Sequence, residues 1–383
     1  MINSIFYRSS LAFFQSFLLS LFLYKKVISW NKKKKFLTEN IRSLGLIGEK
    51  KKIGIPTMGG VVIILSTLTS TILFSYWNNI YIISLIISSI WLGFIGFIDD
   101  YIKVKFNKKG LNAFGKILGQ LILGIFIGII IFFNENVKNL QEKNYFHNHK
   151  YSFTTSLPNI FSRFLFKRNE KKFDYSDLLI CCNKKLSKYT WIIFITFIVI
   201  MIIFFSNAVN ITDGIDGLAG GTSLIIFITL FLFSIISSNK YYSDYFNFIY
   251  IPNITETIIF STSIIGSLIS FIWYNAYPAQ IFMGDTGSLF IGGLITILAF
   301  FIKIEFILPI LGGIFLLENI SVIIQILYLK YTKTKYGIGK RIFLMAPIHH
   351  HFQKLGEHEN KICIRFIIIQ IILSILSLIL LIT

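Results

Sequence analysis

The sequence predicts an all-α polytopic membrane protein with about ten transmembrane helices, and three observations lead to this fold class. Hydrophobic residues make up 54% of the 383 residues, and the mean hydropathy is +0.70. The apolar residues are gathered into stretches of roughly 20, the length with which an α-helix crosses a bilayer. Because the stretches recur from one end of the chain to the other, we expect residues 1–383 to form a single membrane domain.

Ten apolar stretches are long enough to be spans, with ends defined to within a few residues. In chain order they are 11–29, 58–75, 80–98, 115–133, 190–206, 218–236, 257–274, 288–302, 306–328 and 363–382. No strong basic region precedes the first stretch and no small-residue cleavage site follows it, which favours a retained span over a cleaved signal peptide. The stretches 190–206 and 288–302 are short, so we expect their ends to extend or tilt.

Basic residues are concentrated in a subset of the loops. Lys and Arg number 37 against 18 Asp and Glu, a formal net charge of +19. They are densest after the first, third and ninth stretches, and loops after odd-numbered spans share one side of the membrane. Because basic loops are retained in the cytoplasm, this pattern predicts cytoplasmic odd-numbered loops and periplasmic termini.

The excess of positive charge also bears on partners. In a soluble protein it would suggest nucleic acid. Here topology accounts for most of it, and the anionic headgroups of the lipid bilayer and phosphorylated substrates are the better partners. We therefore expect no nucleic-acid partner.

One segment departs from the charge pattern. Residues 134–189 contain many Lys and Arg yet fall on the outer side. Long loops follow the positive-inside rule weakly, and this one also carries Asp and Glu. We expect a long polar periplasmic insertion that is irregular and partly disordered.

Five polar clusters lie in the predicted cytoplasmic loops. They combine Asp, Asn, Gly and His in a way that random loops would not. The clusters are PTMGG at 56–60, DD at 99–100, NAVNITDGIDGL at 207–218, NAYPAQIFMGDTG at 275–287 and MAPIHHHF at 345–352. Since these loops share one side of the membrane, we expect the clusters to converge on an active-site cleft at the cytoplasmic face.

Asp99 and Asp100 directly follow an apolar run. Carboxylates at the membrane edge are costly unless hydrated, paired or metal-bound, which suggests a functional role. A solvated helix end neutralised by Lys103 and Lys105 explains them equally well. Adjacent residues on a helix point about 100° apart, so we expect the two acids to have different tasks.

Three further acids lie in the later clusters. Asp213 and Asp216 share a face if the segment is helical, and Asp285 is flanked by glycines that would let a substrate approach the backbone. Each of the three would alternatively cap the helix that follows it. The spacing at 213–218 excludes an EF-hand.

Acids from separate loops suit a hard divalent cation such as Mg²⁺, which binds one or two carboxylates together with phosphate oxygens. Such a site fits a pyrophosphate substrate. The basic residues available on the same side for the remaining phosphate oxygens are Lys52, Lys103, Lys116, His349 and His350.

The histidine run 349–351 and two aromatic residues leave alternatives open. Consecutive histidines cannot all face one ion on a regular element, so a zinc site is not expected. Phosphate binding and an interfacial position of the imidazoles are about equally supported. Phe282 and Tyr277 are candidates to stack on a base, or ordinary interfacial aromatics. No P-loop or Rossmann motif is present.

With these motifs, the sequence resembles the phospho-N-acetylmuramoyl-pentapeptide-transferases, the MraY family of polyprenyl-phosphate phosphoglycosyl transferases. The resemblance covers nearly the whole chain. The acidic motifs are shared with the wider superfamily, which includes N-acetylglucosamine-phosphate transferases, whereas APIHHH at 346–351 is more particular to the muramoyl-pentapeptide branch. The chain departs from the family at Ile55, at an insertion near 331–339 and in the length of 134–189.

The resemblance implies a reaction in which UDP-MurNAc-pentapeptide and undecaprenyl phosphate give lipid I and UMP with Mg²⁺, in a homodimer at the bacterial inner membrane. By motif position, Asp285 corresponds to the Mg²⁺ ligand and also to a catalytic residue. Asp99 and Asp100 correspond to acids that activate the lipid phosphate, Asp99 being the better candidate. His349 and Lys116 correspond to catalytic or phosphate-binding partners.

The resemblance also implies a substrate-binding set. The residues matching a uracil pocket are Asp216, Asn275 and Phe282, near Lys52 and Thr57. The residues matching the rest of the cleft are Asn210, Asp213, Gln325 and His350. Two other functions remain to be compared with this one: a UDP-N-acetylglucosamine:polyprenyl-phosphate transferase, and a proton-coupled transporter, which would place its acids near the middle of the bilayer.

Overall fold

A computed structural model describes residues 4–34, 52–106, 110–134, 153–158, 172–180, 184–246 and 248–382. The long helices are α1 (Ile5–Lys34), α2 (Gly60–Phe74), α3 (Ile80–Phe106), α4 (Ala113–Phe133), α6 (Thr190–Thr212), α7 (Leu218–Ser238), α9 (Glu256–Asn275), α10 (Gly284–Ile302), α12 (Gly313–Tyr336) and α14 (Glu359–Ile382). The short helices are α5 (Asp177–Ile180), α8 (Lys240–Phe246), α11 (Leu308–Leu311) and α13 (Ile348–Lys354). Strands β1 (Thr154–Ser156) and β2 (Lys172–Asp174) pair antiparallel.

The all-α polytopic fold is confirmed. Within the described ranges, 9 helices are long and apolar enough to cross a membrane, and α2, with 15 residues, is a shorter apolar helix. Together they match the ten predicted stretches. Several helices run further than predicted, α3 to Phe106 and α6 to Thr212, because their polar ends continue the helix past the apolar segment.

One predicted span begins in the wrong place. The stretch 306–328 is divided into a 3₁₀ turn, the four-residue α11 and then α12 from Gly313. Pro309 lacks a backbone N–H, and Gly312 is non-helical with φ −94° and ψ 26°. These two residues interrupt the helix that the continuous hydropathy suggested.

Helix α10 forms the centre of the bundle. All residues of its apolar segment are buried, and it packs against α3, α6, α2 and α7. In α1 and α14 only 28% of the apolar segment is buried, and large hydrophobic side chains such as Phe14 and Ile372 are exposed. Exposed apolar faces of this kind are suited to lipid. The C-terminal ends of α3 and α6 and the N-terminal end of α10 meet at one end of the bundle, where the polar clusters lie.

The described part of 134–189 is docked on the opposite end of α10. Ser156 donates its backbone N–H to the Lys303 carbonyl at 2.9 Å, and the Tyr175 hydroxyl donates to Glu305 Oε1 at 2.7 Å. Phe153, Tyr175 and their aromatic neighbours are buried there. Strands β1 and β2 are regular structure within this segment, while residues 135–152, 159–171 and 181–183 lie outside the described ranges.

Candidate active site

Three buried acids form the centre of the site. Asp99 and Asp100 lie near the C-terminal end of α3, and Asp285 lies in the first turn of α10. Each offers a carboxylate oxygen, and these oxygens lie within 4.8 Å of one another. We call these residues the acid triad. Burial excludes the alternative that Asp99 and Asp100 are merely a solvated helix end.

The two adjacent acids point in different directions, as predicted. Asp100 accepts hydrogen bonds from the backbone N–H groups of Asp285 (3.0 Å) and Thr286 (2.9 Å), and from the Thr286 hydroxyl (2.6 Å). It therefore caps α10 from a neighbouring helix, where the positive end of the helix dipole favours a carboxylate. Asp99 instead accepts the Leu111 N–H at 2.6 Å.

Two lysines face the triad. Lys103 Nζ lies 2.8 Å from Asp99 Oδ2 and 2.8 Å from Asp285 Oδ1. Lys116 Nζ lies 3.0 Å from Asp99 Oδ1 and also pairs with Asp285 Oδ2. The carboxylate of Asp285 thus pairs with lysines rather than capping α10. Lys105, expected to neutralise the acids, instead donates to the Tyr101 hydroxyl.

The loop between α6 and α7 adds two more acids. Residues 213–217 are a turn, so the helical face that would place Asp213 and Asp216 together is absent. Burial and the charges of Asp285 and Asp100 raise the pKa of Asp213 to about 7, which ties it electrostatically to the triad. The cap of α7 is Gly217, with φ 78° and no side-chain cap, so neither acid caps this helix.

Asp216 belongs to a second ionic cluster. Its Oδ1 lies 2.8 Å from Lys52 Nζ, its Oδ2 accepts the Ala279 N–H at 3.0 Å, and Lys52 also pairs with Glu359. Burial lowers the pKa of Lys52, but the carboxylates of Glu359 and Asp216 outweigh this effect and raise it. Lys52 Nζ lies 5.9 Å from the centroid of the Phe282 ring.

Hydrogen bonds hold the elements around this cluster together. Asn275 accepts the Gly217 N–H at 2.9 Å and donates to the Ile281 carbonyl at 2.8 Å. Thr57 is buried beside the α10 N-terminus. A Cβ on Gly60 would lie 2.1 Å from the Gly287 nitrogen, so glycine at this position permits the close approach of α2 and α10.

Two other predicted residues have assigned hydrogen bonds. The Asn210 amide donates to Ser288 Oγ at 2.8 Å, on the same helix as Asp285. Gln325 accepts the N–H groups of Ile342 (3.2 Å) and Phe343 (3.0 Å) and donates to the Phe343 carbonyl. Its amide therefore holds the chain segment that leads to α13.

The three histidines have separate partners. In α13, His349 Nδ1 lies 3.0 Å from Glu318 Oε2, and both side chains are fully buried. His350 Nδ1 lies 2.7 Å from Gln353 Oε1, and His351 Nδ1 accepts the Leu344 N–H at 3.1 Å. The His349 ring lies against Gly214, which brings α13 to the loop that carries Asp213.

The sequence profile of glycosyl transferase family 4 matches residues 82–303, which include the acid triad. A phospho-N-acetylmuramoyl-pentapeptide-transferase of Flavobacterium psychrophilum is 45% identical over 97% of this chain and 93% of the relative. The enzyme of the same name from Amoebophilus asiaticus is 47% identical, again over 97% and 93%. The chain belongs to the phospho-N-acetylmuramoyl-pentapeptide-transferase family. The resemblance drawn from the motifs is therefore confirmed.

Sequence reasoning missed two acids of this family member. Glu318 lies inside an apolar run, and an ionisable residue within a membrane segment is a functional candidate on that ground alone. Glu359 opens α14 and joins the Lys52 cluster, and no spacing or motif in the sequence links it to that cluster.

Proposed function

We propose that this chain transfers phospho-MurNAc-pentapeptide from UDP-MurNAc-pentapeptide to undecaprenyl phosphate, giving lipid I and UMP, the first membrane step of peptidoglycan synthesis. The observation that carries this proposal is the buried acid triad, faced by Lys103 and Lys116 at one end of a bundle of apolar helices. A phosphorylated lipid and a nucleotide could both reach such a site. The relatives are phospho-N-acetylmuramoyl-pentapeptide-transferases, which favours this donor over UDP-N-acetylglucosamine and over proton-coupled transport.

The triad suits Mg²⁺. Oxygen ligands of one Mg²⁺ lie at most about 4.2 Å apart, close to the 4.8 Å that encloses the carboxylate oxygens here. We infer that Asp285 is the principal ligand, because Asp100 is engaged at the N-terminus of α10. The ion would neutralise charge on the pyrophosphate of the donor and on the departing UMP.

The side chains around the triad then act on the phosphates. Asp99 accepts a proton from the lipid phosphate, whose oxygen attacks the sugar-linked phosphorus while the bond to UMP breaks. Lys116 and Lys103 bind phosphoryl oxygens whose negative charge grows during transfer. His349 and His350 approach from α13 as further partners. The remainder of the rate enhancement comes from positioning.

The second ionic cluster is proposed to bind the donor's nucleoside. Lys52, Asp216 and Phe282 supply a charge, an acceptor and an aromatic face close together, and Asn275 and Thr57 lie in the same region. The rest of the cleft comprises Asn210, Asp213 and Gln325. Gln325 contributes by fixing the segment before α13 rather than by an open amide.

The setting of the enzyme follows from the charge pattern. We propose a multi-pass protein of the bacterial inner membrane, with the site at the cytoplasmic face, periplasmic termini and 134–189 as a periplasmic insertion. We also propose a homodimer, as the resemblance implies. Accessibility labelling of single cysteines at 4 and 335 from either side of sealed vesicles tests the orientation.

The function is tested with purified protein, undecaprenyl phosphate and one of two donors. UDP-MurNAc-pentapeptide should release UMP and form lipid I only with Mg²⁺, and UDP-N-acetylglucosamine should not react. Preferential turnover of the second donor would support the rival transferase. A folded preparation that turns over neither donor and takes up protons into vesicles would support the transporter.

A further inference from the structure

Glu318 and His349 form a pair that is fully enclosed beside the candidate active site. Both are 0% exposed, and His349 Nδ1 lies 3.0 Å from Glu318 Oε2. Glu318 lies in the second turn of α12, among apolar residues, and His349 lies in the first turn of α13. A charged side chain in such surroundings is expensive and is retained where it has a task.

Each member of the pair has one buried polar atom without a hydrogen-bond partner in the described part of the chain. These atoms are Glu318 Oε1 and His349 Nε2. Leaving such an atom unsatisfied is energetically unfavourable. A buried carboxylate with a polar partner is also a weak source of stability, since apolar residues of the same volume often do as well. Stability alone therefore does not account for this pair.

The free nitrogen of His349 is directed at the active-site loop. A Cβ on Gly214 would lie 2.3 Å from Nε2, so the ring packs directly on the backbone next to Asp213. Asp216, two residues beyond Gly214, pairs with Lys52. Nδ1 thus faces the carboxylate in α12 while Nε2 faces the loop that joins the two ionic clusters.

We infer that Glu318 is a positioning residue: it accepts the Nδ1 proton of His349 and so presents Nε2, without a proton, to the loop at 213–217. Which ring nitrogen carries the proton is set by the hydrogen bond that the other makes, and a carboxylate at Nδ1 selects Nδ1–H. Nε2, which the loop encloses in this structure, then accepts a hydrogen bond from a hydroxyl of the substrate once the loop at 213–217 moves aside. This role rests on the proposed function, although the protonation of the ring can be measured without it.

The test uses two substitutions of Glu318. Glu318→Gln keeps an acceptor oxygen for Nδ1–H, whereas Glu318→Leu removes it at similar volume. Glu305→Leu is the matched control. Glu305 is also fully buried and accepts a hydrogen bond from an aromatic side chain, that of Tyr175, but it lies at the other end of the bundle. Thermal unfolding of all three reports the general effect of losing a buried carboxyl.

The first readout is the ¹⁵N chemical shift of the His349 ring nitrogens, at a pH where the ring is neutral, assigned with His349→Gln. The wild type and Glu318→Gln should carry the proton on Nδ1, and Glu318→Leu should carry it on Nε2. A wild-type ring with its proton on Nε2, or an unchanged pattern in Glu318→Leu, would overturn the inference. The position of the proton on the His349 ring can be determined even if the wild type forms no lipid I. Failure to form lipid I would refute the proposed function but not the inferred role of Glu318 in setting the ring proton.

The second readout is turnover. Glu318→Leu should lower kcat on the order of tenfold or more, with little change in the KM of the donor, and Glu318→Gln should restore most of it. Glu305→Leu should retain the wild-type kcat. In a His349→Gln background, Glu318→Leu should have no further effect, because the residue acts through the ring. An equal loss in both backgrounds would show that Glu318 acts independently and would contradict the inference.

Discussion

At the residue scale, the adjacent acids Asp99 and Asp100 have different hydrogen-bond partners and therefore different roles in the site. Asp100 is engaged by three donors at the start of α10, whereas Asp99 faces two ammonium groups and one backbone N–H. The first arrangement fixes a helix relative to its neighbour. The second leaves an acid in contact with the side chains that would hold phosphate.

Substituting the two acids should separate these tasks. Asp99→Asn should lower turnover by 10²-fold or more, the range of general acid–base catalysis, with an almost unchanged unfolding temperature. Asp100→Asn turns an amide NH₂ towards N–H donors and should cost about 1–3 kcal/mol of stability as well as turnover. Lipid I formation and thermal unfolding in detergent measure both. Equal destabilisation by the two substitutions would contradict the assignment.

The Lys52 cluster gives a second residue-scale prediction. Glu359→Gln keeps an acceptor for the Asp216 N–H but removes one charge that holds Lys52. We expect the donor KM to rise several-fold while kcat changes little, because positioning of the nucleoside is affected and the triad is not. Glu357→Gln, which alters a surface pair with Lys361, is the control and should leave both constants unchanged. Steady-state kinetics with UDP-MurNAc-pentapeptide as the varied substrate measure KM and kcat for both variants. An unchanged donor KM in Glu359→Gln would contradict the prediction.

The motif residues of the site could be predicted from the sequence, and their partners could not. Every crossing of the bilayer takes the chain to the opposite side, so loops after odd-numbered spans share one side of the membrane. This order, together with the loop charges, predicted that the triad and the Asp213 loop lie on the same side. Glu318 pairs with His349 across 31 residues, and Lys52 with Glu359 across 307. Such pairings depend on how helices pack, which no local spacing encodes. The hydrogen bonds of Gln325 to the segment before α13 could not be predicted for the same reason.

At the element scale, hydropathy located the helices and missed their interruptions. The stretch 306–328 reads as continuous because Pro309 and Gly312 are apolar or neutral, yet both act on the backbone. The 3₁₀ turn at Glu305–Ile307 that results carries Glu305 beneath the β1–β2 pair. The described part of residues 134–189 is therefore anchored by a buried acid.

Glu305 makes the stability of this element dependent on pH. Burial raises the pKa of Glu305 from its ordinary 4.5 to about 7. Because the folded state binds the proton more tightly than the unfolded state, stability should fall as pH rises from about 4.5 to about 7, by on the order of 1–3 kcal/mol. Glu305→Gln keeps the Tyr175 hydrogen bond without a charge and should flatten this dependence. Unfolding temperatures across pH 4.5–8 test it, and an unchanged slope in the variant would contradict it.

At the scale of the whole molecule, the central, fully buried α10 connects the two ends of the bundle. Its N-terminus holds Asp285 and is capped by Asp100, and the loop after its C-terminus contacts the β1–β2 pair. Five sequence-distant clusters meet around the first of these ends, as the sorting of loops predicted. The central claim is that acids from α3 and α10 together bind one divalent ion there.

Binding of Mn²⁺, which replaces Mg²⁺ at oxygen sites and is visible by electron paramagnetic resonance, tests that claim most directly. The detergent-purified chain should bind one tightly held ion. Asp285→Asn and Asp99→Asn, on different helices, should each weaken that binding at least tenfold, and Glu305→Gln should not. Unchanged affinity in both triad variants would contradict the account.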